Sequence, residues 1–310
     1  MKKLAFLALL PFAAFGVYTA ITHVINKQTT PRWFTETIHF DRGWAQTFRV
    51  DEMLFEEKTD FQHLIIFRNE MFGAVMVLDG VVQTTERDEY VYHEMIVHAP
   101  ILHHGNVKKV LIIGGGDGGS LREVLRHKGV EKAVLVDIDS SVIELSKKYF
   151  PHHSEGAFEN PRAEIIIADG CKYVKETNEK FDVIICDTTD PIGPGEVLFT
   201  EEFFTDCSKL LTENGIFTNQ NEVMMTRDTF VKSDAKMKKA FKDVKMYVAP
   251  VPTYIGGFMA FGWAMNKPTE ISLAELQKRA QTIQPQLKYY TPEVHKGSFA
   301  LPNEYKNRLQ

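Results

Sequence analysis

Short hydrophobic runs separated by turn residues fill the chain between residues 31 and 85. Two of them, at residues 64–67 and 74–78, are rich in the residue types that favour strands. Asn, Asp and Gly at residues 69–73 and 79–80 supply turns. Strands this close together, with no helix between them, form antiparallel hairpins. The pattern therefore predicts a small N-terminal β domain over residues 31–85.

The hydrophobic period changes after residue 85. Tyr90 and residues 95–97 fit one face of a helix, which we expect to end near His98 because Pro100 cannot donate the next helical hydrogen bond. Strands and helices then alternate. The predicted strands lie at residues 110–113, 133–136, 165–167, 183–186 and 215–218, and the predicted helices at residues 121–127 and 141–149. This alternation is typical of a Rossmann-like domain of the class I methyltransferase type, a doubly wound parallel sheet, here over residues 86–310.

Residues 1–30 form an apolar N-terminal extension. Lys2 and Lys3 precede a hydrophobic run that continues to about Ala20. Such a run resembles a signal peptide or a short membrane anchor, although it is near the lower length limit for spanning a bilayer. The competing interpretation is a start codon assigned upstream of the true one.

Composition limits the classes of function. The chain of 310 residues has a formal net charge of -5, with 44% hydrophobic and 25% charged residues, as in ordinary soluble globular proteins. The sequence has no basic patch, which argues against a nucleic-acid partner. Cys171, Cys186 and Cys207 lack the spacing of a metal site, so we expect buried thiols, no disulfide framework and no metal.

A glycine-rich run, GGGDGG at residues 114–119, joins the predicted strand at residues 110–113 to the next helix. Glycines at such a junction let the backbone turn sharply and approach a ligand closely. Asp137 ends the next strand, where a carboxylate can bind ribose hydroxyls, and Asp169 and Gly170 follow the strand after that. Because the carboxyl ends of parallel strands meet at one edge of the sheet, these residues predict an adenosine pocket.

Asp117, within the glycine run, narrows the choice of nucleoside. A methyltransferase cofactor would place its amino acid end at this loop, where Asp117 would repel the carboxylate and attract a ligand that carries only an ammonium. Decarboxylated S-adenosylmethionine is such a ligand. NAD is less favoured, since no pyrophosphate has to be held.

Two further acids, Asp187 and Asp190, directly follow the predicted strand at residues 183–186, in the segment DTTDPIGPG. Two carboxylates at a ligand-facing strand end could hold a cationic amine. An amine with a pKa of about 10 is protonated at neutral pH and cannot attack, so one carboxylate could accept its proton. The Pro/Gly run after Asp190 indicates a loop that closes over the site. A loop with a helix-capping acid is the alternative.

Several long segments in order resemble the polyamine aminopropyltransferase family, and more narrowly its bacterial spermidine synthases. The segments are residues 81–90 (VVQTTERDEY), 92–94 (YHE), 114–119, 187–195, 289–295 (YYTPEVH) and 299–302 (FALP). The resemblance extends from about Trp33 to about Pro302 and leaves the N-terminal extension outside it.

The resemblance implies roles for individual residues. It implies that Asp187 is the proton acceptor, that Asp190 helps to hold the diamine, and that Asp117 and His93 surround the aminopropyl chain and the polyamine. The other residues that it implies are nucleoside contacts at Gln62, Gln83, Asp137, Asp169, Gly170 and Pro194, and polyamine-channel aromatics at Tyr92 and Tyr254. Relatives usually carry Glu in place of Asp137, so we expect a slightly looser ribose contact here.

The activity that the resemblance implies is the transfer of the aminopropyl group of decarboxylated S-adenosylmethionine to putrescine, giving spermidine and 5'-methylthioadenosine. The nucleoside is then a co-substrate, and no prosthetic group is expected. Three alternatives remain: a putrescine N-methyltransferase, an aminopropyltransferase with a different amine acceptor, and a catalytically silent polyamine binder.

Family members are commonly homodimers or homotetramers. We expect a cytoplasmic enzyme, because both substrates are made there, with membrane contact only if residues 1–30 form a real anchor.

Overall fold

A computed structural model of the protein describes residues 31–191, 193–225, 228–283 and 287–310. The apolar extension at residues 1–30 lies outside this part of the chain. Within the described ranges, none of the helices combines the length and the hydrophobicity needed to span a membrane. The anchor interpretation of the extension therefore stays a prediction.

Six strands form the N-terminal part of the protein. They are β1 (Arg32–Glu36), β2 (Gln46–Val50), β3 (Glu52–Lys58), β4 (His63–Asn69), β5 (Gly73–Leu78) and β6 (Val81–Thr85). β1 pairs with β2, and the other four form a sheet in the order β3-β4-β5-β6, with every pairing antiparallel. The predicted antiparallel β domain is confirmed, while its boundary near residue 85 stays a prediction.

Strand β4 is apolar on both faces because both faces are covered. Leu64 and Ile66 pack in one cluster with Phe150, which belongs to the strand-and-helix part of the chain. Phe67, on the opposite face, packs with Phe48 of β2. The four-stranded sheet is therefore held between the small β1-β2 sheet and the C-terminal domain, next to the strand ends of that domain.

Seven strands form the second large sheet, in the order β12-β13-β11-β10-β7-β8-β9. They are β7 (Lys109–Gly114), β8 (Lys132–Asp137), β9 (Ala163–Ile167), β10 (Phe181–Asp187), β11 (Leu211–Val223), β12 (Asp243–Pro250) and β13 (Phe258–Met265). The α-helices among the described residues are α1 (Glu89–His104), α2 (Gly119–Leu125), α3 (Ser140–Tyr149), α4 (Pro151–Ser154), α5 (Gly170–Glu176), α6 (Glu201–Leu210), α7 (Thr229–Ala240), α8 (Leu273–Ala280), α9 (Pro292–Ser298) and α10 (Asn303–Arg308). The Rossmann-like prediction is confirmed.

The prediction of an entirely parallel sheet is wrong at one edge. Strands β7 to β11 are parallel to one another, whereas β13 pairs antiparallel with both β11 and β12. Only residues 251–257 connect β12 to β13, too few for the crossover that parallel neighbours need. The sheet is therefore mixed, and the short β12-β13 connection reaches back towards the strand ends.

The prediction that the first long helix ends before Pro100 is also wrong. Helix α1 continues to His104 with Pro100 inside it, and Gly105 ends it in a left-handed conformation with a φ of 80°. Every residue from 91 to 102 is buried. Packing on all sides of α1 stabilises the helix more than the proline disrupts it, a tertiary effect that local sequence does not reveal.

Candidate active site

A cavity of about 640 Å³ lies at the carboxyl ends of the parallel strands, between them and the N-terminal sheet. Eleven of the twelve predicted site residues border it: Gln62, Gln83, Tyr92, His93, Asp117, Asp137, Asp169, Gly170, Asp187, Asp190 and Tyr254. The twelfth, Pro194, belongs to the 3-10 helix Gly193–Phe199, but its side chain lies outside the described part of the protein. The fold thus brings the predicted residues to one place, although it does not by itself assign their roles.

The glycine run brings the backbone of β7 against that of β10. Gly114 has a φ of 78°, and a Cβ atom at this position would lie 2.2 Å from the carbonyl oxygen of Asp187. A side chain at Gly114 would therefore be strained and would clash. The next residue, Gly115, donates its N–H to the same carbonyl at 2.7 Å. This contact fixes Asp187 relative to the loop that carries Asp117.

Asp187 is the last residue of β10, and two hydroxyl groups hold its carboxylate. The Tyr92 hydroxyl donates to Oδ1 at 2.8 Å, and the Ser120 hydroxyl donates to Oδ2 at 2.6 Å. Burial raises the pKa of Asp187, and the nearby charge of Asp117 adds to this effect, whereas His93 and the two hydroxyl groups act in the opposite direction. The net pKa is above the ordinary value, which suits a group that accepts a proton.

Asp117 lies beside Asp187 but in a different electrostatic environment. Its Oδ1 accepts a hydrogen bond from the backbone N–H of Gly119 at 2.9 Å, and its Oδ2 lies 3.2 Å from Nε2 of His93. Burial would raise the pKa of Asp117, but His93 outweighs burial and holds it well below the usual range. The two neighbouring carboxylates therefore differ in their readiness to bind a proton.

The nucleoside side of the cavity is built from the ends of β8 and β9. Burial raises the pKa of Asp137 to about 6, although its Oδ1 accepts the backbone N–H of Asp139 at 2.9 Å. Asp169 caps helix α5 by accepting the backbone N–H of Cys171 at 2.7 Å. A Cβ at Gly170 would lie 2.6 Å from Cγ2 of Ile113, so glycine keeps this wall close to the sheet.

Gln62 contacts Asp139, an acid near the cavity that was not predicted from the sequence. Its Nε2 donates to Oδ2 of Asp139 at 2.9 Å, and the Thr59 hydroxyl donates to the same oxygen at 2.9 Å. Asp139 also caps helix α3 by accepting the N–H of Ser141. An N-terminal loop is thereby attached to the loop that carries Asp137.

Two tyrosines form another wall of the cavity. The rings of Tyr92, on α1, and Tyr254, in the β12-β13 connection, meet edge to face with centroids 6.0 Å apart. Tyr254 donates its hydroxyl to the carbonyl oxygen of Gln83 at 2.8 Å, and Nε2 of Gln83 donates to the carbonyl of Val81 at 3.2 Å. Strand β6, helix α1 and the β12-β13 connection are thus held together at this wall.

One group of side chains has a spacing that could suit a metal ion. One ligand atom each of His93, Asp117 and Asp187 lie within 4.8 Å of one another. However, His93 places its two ring nitrogens against two carboxylates, those of Asp117 and Glu89. A metal would have to displace a proton from this ring, so the environment suits an imidazolium better than a metal ligand. The prediction of a metal-free site stays a prediction.

Three acceptor or donor groups that line the cavity or contact its residues were not predicted. Glu36 ends β1 and is only 3% exposed, and burial raises its pKa to about 7 despite a hydrogen bond from Gln46. Glu222, near the end of β11, also borders the cavity, and Ser120 contacts Asp187. Ser120 could have been found because it directly follows the glycine run. Nothing in the sequence connects Glu36 with the distant strand ends.

Comparisons with known proteins agree with this architecture. Residues 89–275 match the family described as the spermine/spermidine synthase domain, and residues 32–86 match the spermidine synthase tetramerisation domain. The polyamine aminopropyltransferase of Pectobacterium carotovorum subsp. carotovorum (strain PC1) is 52% identical over 281 residues, which are 90% of this chain and 97% of that protein. The polyamine aminopropyltransferase of Yersinia pestis (strain Pestoides F) is 52% identical over 273 residues, 87% of this chain and 91% of that protein.

Two solved structures share the fold. A spermidine synthase in complex with the transition state analogue AdoDATO has a TM-score of 0.85 and 40% identity, covering 93% of this chain and 99% of that one. The spermidine synthase from Thermotoga maritima has a TM-score of 0.84 and 39% identity, with coverage of 93% and 98%. With two family domains matched in order and half of the residues shared with curated relatives, the chain belongs to the spermine/spermidine synthase family of polyamine aminopropyltransferases.

Proposed function

We propose that this aminopropyltransferase is a spermidine synthase, which joins the aminopropyl group of decarboxylated S-adenosylmethionine to putrescine. The observation that carries the proposal is Asp187, a carboxylate with a raised pKa that two hydroxyl groups orient in the wall of an acidic cavity. Such a group can take the proton that keeps an amine from attacking.

The charge of the cavity supports a cationic acceptor. No lysine or arginine occurs among the described residues that border it. The acidic residues that border it are Glu36, Asp79, Asp117, Asp137, Asp169, Asp187, Asp190 and Glu222. A surface on which one sign of charge predominates, with low-dielectric walls, concentrates ligands of the opposite sign. A diamine with two ammonium groups fits this environment, with Glu36 and Glu222 as candidates for holding its remote ammonium.

The position of Asp117 supports the choice of donor. A carboxylate held ionised beside Asp187 would attract the ammonium of an aminopropyl chain and repel the carboxylate of intact S-adenosylmethionine. One structural neighbour was solved in complex with the transition state analogue AdoDATO. We therefore propose the decarboxylated nucleoside as co-substrate, and no step needs a prosthetic group.

The proposed reaction has two coupled parts. Asp187 accepts a proton from the near ammonium of putrescine, which leaves a neutral nitrogen with a free electron pair. This nitrogen attacks the methylene carbon next to the sulfonium sulfur. A C–N bond forms, the C–S bond breaks with its electron pair passing to sulfur, and 5'-methylthioadenosine leaves. Because the sulfonium is already an activated leaving group, catalysis depends on alignment and on deprotonation of the amine.

The remaining residues take the roles that the family resemblance implies. We propose that Asp137 binds the ribose, that Asp190 and His93 belong to the diamine side, and that Tyr92 and Tyr254 form the apolar wall of its channel. The nucleoside contacts that we propose are Gln62, Gln83, Asp117, Asp169, Gly170 and Pro194.

The match to a tetramerisation domain supports a homodimer or homotetramer. A cytoplasmic location follows from where both substrates are made.

The test is identification of the product by mass. Purified protein is supplied with decarboxylated or intact S-adenosylmethionine, each combined with putrescine, cadaverine, agmatine or spermidine. We expect spermidine and 5'-methylthioadenosine from the decarboxylated nucleoside and putrescine, at the highest kcat/KM of the series. N-Methylputrescine from the intact cofactor would instead identify a methyltransferase, and a higher kcat/KM with another amine would overturn the choice of acceptor.

A further inference from the structure

The imidazole of His93 lies between two carboxylates. Its Nδ1 is 2.6 Å from Oε2 of Glu89, one turn earlier on α1, and its Nε2 is 3.2 Å from Oδ2 of Asp117. The side chain is only 3% exposed. A neutral imidazole can donate from one ring nitrogen, whereas the imidazolium donates from both. With both carboxylates ionised, both contacts are hydrogen bonds only when each ring nitrogen carries a proton.

Glu89 is itself fixed from behind by an arginine. Nη2 of Arg122 donates to Oε2 of Glu89 at 2.9 Å, while its Nε donates to Oε1 of Glu123 at 2.7 Å. The Nη1 group of Arg122 donates to the backbone carbonyl oxygens of His152 and His153. The side chains of Glu89, Arg122 and Glu123 are almost completely buried, and buried charges persist only when they are paired. Helices α1 and α2 are thus joined by alternating charges that end at His93.

Other groups face His93 from every element packed against it. They are Tyr92 and Glu89 on its own helix, Asp117 and Gly119 at the glycine run, Asp187 on β10 and His153 on α4. Burial lowers the pKa of His153, which disfavours its cationic form. Burial also disfavours the protonated form of His93, but Asp117 and Glu89 outweigh burial and raise the pKa of His93 well above its ordinary value.

We propose that His93 is a permanent imidazolium, held by Glu89 with Arg122 behind it, and that it acts through Asp117: it keeps Asp117 ionised while Asp187 receives the amine proton. Glu89 and Arg122 are then positioning residues that act through His93, while His93, on the diamine side of the cavity, also sets the charge of Asp117. Two carboxylates within 4.8 Å of each other would otherwise share one proton. The inference refines the proposed function, on which its kinetic part rests.

The first experiment needs no turnover, so it is independent of the proposed function. The side-chain nitrogens of 15N-histidine-labelled wild-type protein are followed by NMR from about pH 6 to about pH 9, a range that spans the ordinary titration of histidine. His93 is assigned by the signal lost in His93→Gln. We expect both ring nitrogens of His93 to stay protonated throughout. A neutral His93 ring at neutral pH in the wild type would overturn the proposal, whatever the variants do.

The second experiment separates Glu89 from the rest of the network. In Glu89→Gln, which removes the charge that touches Nδ1, we expect His93 to titrate within the same pH range. Glu123→Gln is the matched control, since it removes an equal charge from the other side of Arg122 without touching His93. In Glu123→Gln we expect His93 to remain protonated to a higher pH than in Glu89→Gln. Equal behaviour of the two variants would contradict a specific role for Glu89.

The third experiment follows kcat/KM for the diamine against pH in His93→Gln. Without the cation the pKa values of Asp117 and Asp187 rise. The acid limb of the pH profile, where kcat/KM falls as the carboxylates become protonated, should therefore move to higher pH by about one unit. At a pH below this limb, that shift is about a tenfold loss of kcat/KM. At pH values above this limb, the loss of kcat/KM should be smaller than below it and should no longer depend on pH. An equal loss at all pH values, with an unmoved limb, would indicate a merely structural role and overturn the proposal.

Discussion

Replacement of Asp187 with Asn tests the proposed chemistry directly, because it removes the proton acceptor and preserves its shape. In the wild type, the hydroxyl groups of Tyr92 and Ser120 donate to different oxygens of the carboxylate. In the variant, one hydroxyl can still donate to the amide oxygen, and the other can rotate and accept from the amide NH2. The free energy of unfolding should therefore change by no more than about 1 kcal/mol.

The effect on turnover should be much larger. A positioned general base contributes about 10²- to 10⁴-fold to the rate, so we expect kcat of Asp187→Asn to fall by at least about 100-fold. A 100-fold loss corresponds to about 2.7 kcal/mol of additional barrier. The carboxylate is half-buried and desolvation raises its pKa, so bulk water cannot readily replace it as the acceptor. KM for the diamine should change less than kcat, since Asp190 and the other acids of the cavity remain.

The assay measures spermidine by mass under saturating substrates over a range of pH, with diamine binding followed by calorimetry. Ser120→Ala is the control, because it keeps the base and removes one hydrogen bond to its charged form. The pKa of Asp187 should then rise, and the variant should lose activity at acid pH but regain it at alkaline pH. Turnover of Asp187→Asn within about threefold of the wild type at all pH values would refute the base assignment.

Three further predictions concern other acids of the cavity. Burial raises the pKa of Glu36 from an ordinary 4.5 to about 7, so its contribution to stability is fully present below about pH 4.5 and is lost as the pH rises to about 7. Glu36→Gln should therefore match the wild type near pH 4 and exceed its free energy of unfolding in urea by up to about 3 kcal/mol near pH 8. An equal difference at both pH values would count against this. The affinity for decarboxylated S-adenosylmethionine, measured by calorimetry, should weaken as the pH falls through about 6, where Asp137 becomes protonated. Asp137→Asn should abolish this pH dependence. If the variant keeps the pH dependence, Asp137 is not its source. Asp117→Asn should reduce the preference for the decarboxylated over the intact nucleoside by about tenfold, and an unchanged ratio of dissociation constants would show that discrimination lies elsewhere.

The fold was predictable where local pattern and tertiary structure agree. The alternation of strands and helices after residue 85 is a direct result of burying both faces of a parallel sheet, so it is visible in the sequence. Helix α1 was predicted too short, because the burial of residues 91–102 overrides the effect of Pro100. Strands β12 and β13 were missed for a similar reason, since the antiparallel edge depends on a short connection whose conformation is set by tertiary contacts.

The site was predictable where the chain places acids at strand ends. Asp137 and Asp187 end parallel strands and Asp169 follows one, and the topology of the sheet brings such strand ends to one edge. Glu36 could not be predicted, because it reaches the cavity only through the packing of β1 and β2 against the rest of the protein. Gln46 shows this dependence: its Nε2 group donates both to Glu36 and to the carbonyl oxygen of Thr253, on the distant β12-β13 connection.

An acidic cavity poses an electrostatic difficulty, because neighbouring carboxylates raise each other's pKa and would be neutralised by protons instead of by the substrate. The glycine run opposes this rise in pKa for Asp117, at the centre of the site. The backbone N–H of Gly119 donates to Asp117, and the absence of a side chain at Gly119 lets the ring of His93 approach, since a Cβ there would lie 2.2 Å from that ring. Replacement of Gly119 by alanine would push His93 away and remove the cation from Asp117. The glycine at this position therefore determines the charge of the cavity as well as its shape.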